Sequence, residues 1–159
     1  MKLGTLTVAL GDLPFDQACS FLAQRGVQMV EIGCGGFPGK AHCDAEELLE
    51  NEGKRQVFVD TLKKYNLEIS ALSSHGNMVH PDKAVAERFE KDFTNAILLA
   101  EKLNVPVVNT FSGCPGGIGR PTGLPARGPM TSARFWSTSG TRFWFLTGRK
   151  RRPLPESMG

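Results

Sequence analysis

Three short stretches of this chain concentrate side chains of the types that bind ligands, coordinate metals or transfer protons. The run His-Gly-Asn-x-x-His-Pro brings His75, Asn77 and His80 together within six residues. Imidazole titrates near neutrality and also ligates divalent metals, so such a cluster can polarise a hydroxyl, hold a phosphate or take a metal ion. The same residues can instead serve the chain itself, one capping the helix that follows and another packing under the loop; His80, beside Pro81, suits either role. Glu31 stands inside the apolar run VQMVEIG at 27–33, where a carboxylate is costly unless paired. It either orients a ligand hydroxyl or a neighbouring group, or it is the ion-pair partner of a buried Lys or Arg. Asn109 and Ser112, in VPVVNTFSG at 105–113, can hydrogen-bond hydroxyl groups, although Ser112 is more simply a turn residue. Glycines 33, 35, 36 and 39 mark a tight loop whose backbone N–H groups could approach an anion, but they lack P-loop spacing. His42 is expected at the surface, and Glu87, Glu90, Asp92 and Glu101 read as a solvated helix face.

The elements that would position these residues alternate between strand and helix. Leu3, Leu6, Val8 and Leu10 mark a first strand, ended by Gly11 and Asp12. Asp12 is placed to cap the next helix, with Pro14 in its first turn. Phe15, Ala18, Cys19, Leu22 and Ala23 fall on one helical face, and Gly26 stops it. Residues 27–33 form a strand buried on both faces. A Gly/Cys-rich loop leads to a helix over 52–65, with Phe58 and Leu62 inward. A third strand spans 67–76, and the longest helix spans 82–103 with Val85, Phe89, Phe93, Ala96, Ile97 and Ala100 as its buried stripe. A fourth strand covers 105–113. Strand starts about 24, 40 and 38 residues apart require crossovers, hence parallel pairing in an α/β sheet. The sheet is either open and doubly wound or half of an eightfold barrel. No G-x-G-x-x-G follows the first strand, which removes the main support for dinucleotide binding. In a barrel, polar residues at strand C-termini are the functional ones, which singles out Glu31, His75 with Asn77, and Asn109 with Ser112.

Charge divides the chain near Gly117. Residues 1–117 carry a net −4, whereas residues 118–159 hold eight bases and one acid, for a net +7. The overall +3 is therefore no sign of a nucleic-acid partner, since the basic excess lies wholly in the tail. No 18-residue apolar run indicates a membrane span, and the start of the chain lacks the apolar segment of a secretory signal. The four cysteines, Cys19, Cys34, Cys43 and Cys114, have no C-x-x-C spacing and suit buried or loop thiols in a reducing cytoplasm. The tail has no helical stripe and no strand alternation. Its Phe and Trp content, as in Phe135, Trp136, Phe143, Trp144 and Phe145, is foreign to a disordered basic extension. Permitted codons in a shifted frame turn residues 122–159 into a string of helix formers with balanced charge. The expected organisation is thus a partial barrel over 1–117 and a basic tail over 118–159, out of frame and disordered.

VEIGCGGFPGKAHCD (30–44), ALSSHGNMVHPD (71–82) and VVNTFSGCPGG (107–117) resemble the sugar phosphate isomerase/epimerase family of xylose-isomerase-like TIM barrels. The H-G-N-x-x-H-P run and the F-S-G-C-P-G-G turn are the more specific matches, and the re-read tail resembles the family's continuation. The resemblance implies four parallel βα units, the N-terminal half of a (β/α)8 barrel, where a whole one takes about 250 residues. It implies a sugar or sugar-phosphate isomerase or epimerase that transfers a proton next to a carbonyl with help from a divalent metal (Mn, Mg, Co or Zn). Glu31, His75, Asn77, His80 and Asn109 would face the substrate, and His75 is the one candidate for a metal. The family's metal ligands, two Glu, an Asp and a His, belong to strands five to eight, beyond this chain. The chain is accordingly expected to be a truncated, inactive cytoplasmic fragment that binds no metal. Two other readings stay open: an apurinic-endonuclease-like barrel acting on DNA, and a non-catalytic half-barrel that forms a homo-oligomer or binds a partner through its unclosed edges. The net −4 of residues 1–117 and the three histidines of the chain weigh against the DNA reading.

Overall fold

The β-branched apolar runs pair side by side in the computed structural model, which describes residues 1–115. The strands are β1 (Gly4–Leu6), β2 (Met29–Gly36), β3 (Glu68–His75) and β4 (Val108–Asn109). They form one sheet in the order β1-β2-β3-β4, parallel at every pairing. Helix α1 (Phe15–Ala23) links the first two strands, α2 (Ala45–Glu50) and α3 (Glu52–Lys64) the next two, and α4 (Lys83–Leu103) the last two. This order decides between the two architectures. A doubly wound sheet reverses direction partway, whereas here every step moves the same way. Right-handed crossovers taken in one direction stack all the helices on one face and leave the other face to line a barrel. Four such units make half of a TIM barrel.

Packing follows from the two periodicities. Val30, Ile32 and Leu72 have no exposed surface and form the helix-covered side of the sheet. Against it α4 buries Phe89, Phe93, Ala96, Leu99 and Ala100, and α1 buries Ala18, Cys19 and Leu22. Leu99 joins the expected stripe of α4, while Val85 and Ile97 sit at its margin, half-buried. Pairing Glu31 with Leu6 and Ala71, and Ser73 with Gly33 and Asn109, places these six residues together on the opposite, barrel-lining face.

Several boundaries differ from the sequence expectation. The first strand stops at Leu6, because Thr7–Leu10 wind into a 3-10 turn that buries Thr7. That turn continues through Leu13 N–H to Leu10 O (2.9 Å), so Asp12 lies outside α1. The N-cap is Pro14, with no side-chain hydrogen bond. Strand β2 runs on through the glycines to Gly36, since 33–36 continue the ladder with Ser73, Ser74 and His75. The loop after it contains α2, started by Asp44, whose carboxylate accepts from Glu46 N–H (3.1 Å) and Glu47 N–H (3.4 Å). β4 is only two residues long. The boundary at 117 and the disordered tail over 118–159 lie outside the described residues.

Asp82 caps α4 by accepting from Ala84 N–H (2.9 Å) and Val85 N–H (3.5 Å). Asp82→Ala is expected to cost about 1 kcal/mol, read as a lower urea midpoint with an unchanged m-value. Cys19, Cys34 and Cys43 are buried free thiols, and Cys114 is partly buried. A hydrogen bond to Cys34, reinforced by burial, holds the Cys43 thiol well above its usual range. Burial pushes the Cys19 thiol from 9.0 up to about 11, with Asp16 adding to it. The unfolded thiol ionises first, so this group's contribution to stability is complete below pH 9 and fades as pH rises towards about 11. Cys19→Ala is expected to flatten that part of a Tm-against-pH profile. Among the described residues no helix is long and apolar enough to cross a membrane.

Candidate functional site

The barrel-lining face carries a polar row where an apolar core would ordinarily continue. Glu31 is half-buried, and its carboxylate accepts a hydrogen bond from the Ser73 hydroxyl. Ser73 itself has no exposed surface. The partner of Glu31 is therefore a neighbouring hydroxyl, and among the described residues no Lys or Arg pairs with it. Glu31 also sits deeper than a strand end: β2 continues five residues beyond it, although it is level with Leu6, the last residue of β1. Asn109 lies beside Ser73 in the ladder and is half-buried.

His75 ends β3 on the same face, two residues beyond Ser73. Its ring stacks on Phe111, centroids 4.4 Å apart and planes 10° apart. Its Nδ1 is buried and makes no hydrogen bond among the described residues. A buried ring nitrogen without a partner costs on the order of 1–3 kcal/mol, a condition His75 Nδ1 shares among the described residues with Thr7 Oγ1, Ser74 Oγ and Asn95 Nδ2. The backbone around His75 is fixed: its carbonyl accepts from Phe37 N–H at 2.7 Å. Phe37 in turn leans on Phe89 (5.1 Å between centroids) and Phe111 (6.4 Å).

The turn that delivers Phe37 is held from behind. Asp92, on α4, accepts from Gly36 N–H at 2.9 Å and pairs with Lys40 at 3.4 Å, and Lys40 also reaches Asp44 at 3.5 Å. Burial presses the Lys40 ammonium down, but Asp92 and Asp44 outweigh it and hold the pKa above its usual value. Asp92 is thus a partly buried loop anchor, which corrects its assignment to a solvated face.

The other predicted residues are committed to the chain. Asn77 clamps the β4 loop, donating through Nδ2 to Cys114 O (2.7 Å) and accepting from Cys114 N–H (2.9 Å) at Oδ1. Gly113 permits this clamp with φ +77 and no Cβ, which would stand 2.7 Å from Asn77 Oδ1. His80 accepts from Asp82 N–H at Nδ1 (3.0 Å), leading into the α4 cap, so of its two roles the structure displays the capping one. His42 is buried rather than at the surface: its Nε2 lies 2.9 Å from Leu13 O and its ring packs 5.7 Å from Phe15. It borders a cavity of about 30 Å³ with Thr7 and Gly33, on the scale of a water molecule and apart from His75. Sequence reasoning missed Ser73, Phe37 and Phe111. Ser73 stands midway between Ala71 and His75 in the period-two pattern of β3, a signal that alternation with His75 carries. Among the described residues no three His, Cys, Asp or Glu side chains converge as a metal site.

Known proteins place this arrangement in a family. Residues 19–132 match the family described as xylose isomerase-like TIM barrel. "Uncharacterized protein YfiH" of Bacillus subtilis (strain 168) is 35% identical over 118 residues, which is 74% of this chain and 37% of that protein. The crystal structure of "the probable 3-DHS dehydratase AsbF involved in the petrobactin synthesis" from Bacillus anthracis superposes with a TM-score of 0.50 at 20% identity, over 70% of this chain and 38% of that one. The chain thus spans well under half the length of either relative, and the second likeness concerns the fold. The parallel order β1-β2-β3-β4, the polar barrel-lining face and the match over 19–132 agree: this chain belongs to the xylose isomerase-like TIM barrel family.

Proposed function

We propose that the full-length protein is a sugar or sugar-phosphate isomerase or epimerase that moves a proton next to a carbonyl, and that the described residues form one wall of its site. The observation that carries this reading is the row Glu31–Ser73–His75 on the barrel-lining face, with His75 Nδ1 buried and unpartnered. Strand C-termini are where barrel enzymes place their chemistry. A carboxylate, a hydroxyl and an imidazole within one row offer what a polyol needs: an acceptor, a relay and a group able to give or take a proton near neutral pH.

In this reading the Ser73 hydroxyl fixes one side of the Glu31 carboxylate, leaving its remaining lone pairs to accept from a substrate hydroxyl. His75, steadied by Phe111, hydrogen-bonds the oxygen at or beside the carbonyl. Asn109, adjacent to Ser73, takes a further hydroxyl. Asn77 and His80 shape the loops around this wall rather than touching substrate. A divalent ion (Mn, Mg, Co or Zn) belongs to the proposal through the family resemblance; the described residues do not supply its ligand set, and no step here depends on it. The partner is a small molecule and the setting cytoplasmic in this reading.

Full-length protein incubated with a panel of aldoses, ketoses and their phosphates, with each metal and with chelator, tests the proposal. Interconversion of at least one pair is the expected result. Absence of conversion across the panel with every metal would remove it.

A further inference from the structure

We propose that Asp92, on α4, is a positioning residue for His75: it clamps the end of β2 and, through that end, the backbone that carries the imidazole. This role rests on the reading of His75 as a proton-transfer group and adds what sets the ring in place. The Asp92 side chain is 15% exposed, and its two oxygens have different tasks. Oδ2 accepts from Gly36 N–H at 2.9 Å, and Oδ1 faces Lys40 Nζ at 3.4 Å. The carboxylate therefore holds the turn after β2 at both ends. Two missing side chains make room for this. A Cβ on Gly35 would stand 2.9 Å from Asp92 Cβ and 3.1 Å from its Cγ, and one on Gly36 would overlap His75 O.

The link from that turn to His75 is backbone throughout. Gly36 is the partner of His75 in the β2–β3 ladder, and the next N–H, that of Phe37, donates to His75 O at 2.7 Å. The same helix braces the peptide that follows. Residues three apart on a helix are neighbours, and Phe89, one turn before Asp92, fills the space that a Cβ on Gly76 would need. The preceding peptide is held as well, because the Thr110 hydroxyl donates to Ser74 O at 2.8 Å. His75 itself stacks on Phe111 and makes no hydrogen bond through Nδ1 among the described residues, so the chain on either side carries much of its placement. Misplacing a reacting group by about 1 Å can cost on the order of a hundredfold in rate. A loosened clamp should therefore appear in kcat, although Asp92 lies behind the sheet.

Asp92→Asn keeps the shape of the side chain and removes the charge that strengthens its bond to Gly36 N–H. Two measurements on full-length protein test the role. In protein carrying 13C-labelled histidine and no ligand, the ring signals of His75 are expected to move in Asp92→Asn. For the aldose–ketose pair that the parent converts, kcat is expected to fall about tenfold with KM little changed. In a His75→Asn background the same substitution should change kcat by less than about twofold, because the group being positioned is gone. Unmoved His75 signals, an unchanged kcat in Asp92→Asn, or equal losses in both backgrounds would overturn the inference while leaving the sugar reading standing. If the parent converts no sugar, the sugar reading falls, and the His75 signals alone decide whether Asp92 places the ring.

Discussion

His75→Asn is expected to lower kcat of the full-length protein by a hundredfold or more while its unfolding midpoint moves only slightly. General acid–base contributions of single side chains are of the order of 10²–10⁴ in rate, and His75 is the one described residue that joins a titratable ring to the barrel-lining face at a strand end. The ring makes no hydrogen bond through Nδ1 within the described chain, so its removal breaks no internal polar contact. What the fold loses is the stack on Phe111 at 4.4 Å, on the order of 1 kcal/mol. Ser73→Ala provides the contrast. It frees the Glu31 carboxylate from its hydroxyl partner and should cost activity mainly through misorientation, with a smaller fall in kcat. Turnover of His75→Asn within tenfold of the parent would take His75 out of the chemistry.

Gly36→Ala is expected to destabilise the protein by about 3 kcal/mol or more, or to prevent folding, because two penalties coincide there. Gly36 has φ +64, and a Cβ would stand 2.1 Å from the carbonyl oxygen of His75. That oxygen is backbone and already accepts from Phe37, so it has nowhere to go without opening the end of the β2–β3 ladder. Gly39→Ala separates the two penalties. Its φ is +74 with nothing within 4 Å of the added Cβ, so only the left-handed strain of about 1–2 kcal/mol applies. Chemical denaturation of both variants should therefore rank Gly36→Ala well below Gly39→Ala. Equal losses would mean that the crowding at His75 O is relieved by a small shift of the chain.

The sheet was legible in the sequence because its signals are local. The stripe Phe89, Phe93, Ala96 and Ala100 identifies α4 from spacing alone, and the apolar run to Ile32 identifies a strand; the run implies burial on both faces, but Val30 and Ile32 on the helix-covered side are fully buried while Met29 and Glu31 on the other are half-buried. Parallel pairing followed from crossover length. The direction of winding did not, since the order β1-β2-β3-β4 is a property of the folded sheet. Misread segments were those whose conformation is set by distant partners. Gly33–Gly36 look like a loop until β3 supplies the ladder that extends them. Asp92 looks like one more surface acid until Gly36, 56 residues away, presents an N–H to it. His42 lies between the charged Lys40 and Asp44 in sequence, yet its ring nitrogen meets Leu13 O and its ring packs on Phe15 of α1.

The site was legible by residue type more than by role. His75 and Glu31 stood out as costly or reactive side chains in strands, and both lie on the barrel-lining face. Asn77 and His80 belong to the same short motif, but a carboxamide flanked by turns is as useful to a loop as to a ligand, and here it holds Cys114. Ser73 carries no sequence signal of its own beyond strand parity with His75, because its importance comes from Glu31, 42 residues away.

The central claim is that this wall serves proton transfer at a carbon next to a carbonyl. Full-length protein held with sugar and metal in D2O, and followed by NMR, tests it most directly. Deuterium is expected at the carbon adjacent to the carbonyl, appearing with the unmodified protein and strongly suppressed in His75→Asn. Interconversion of sugars with no deuterium incorporated, or incorporation unchanged in His75→Asn, would contradict it.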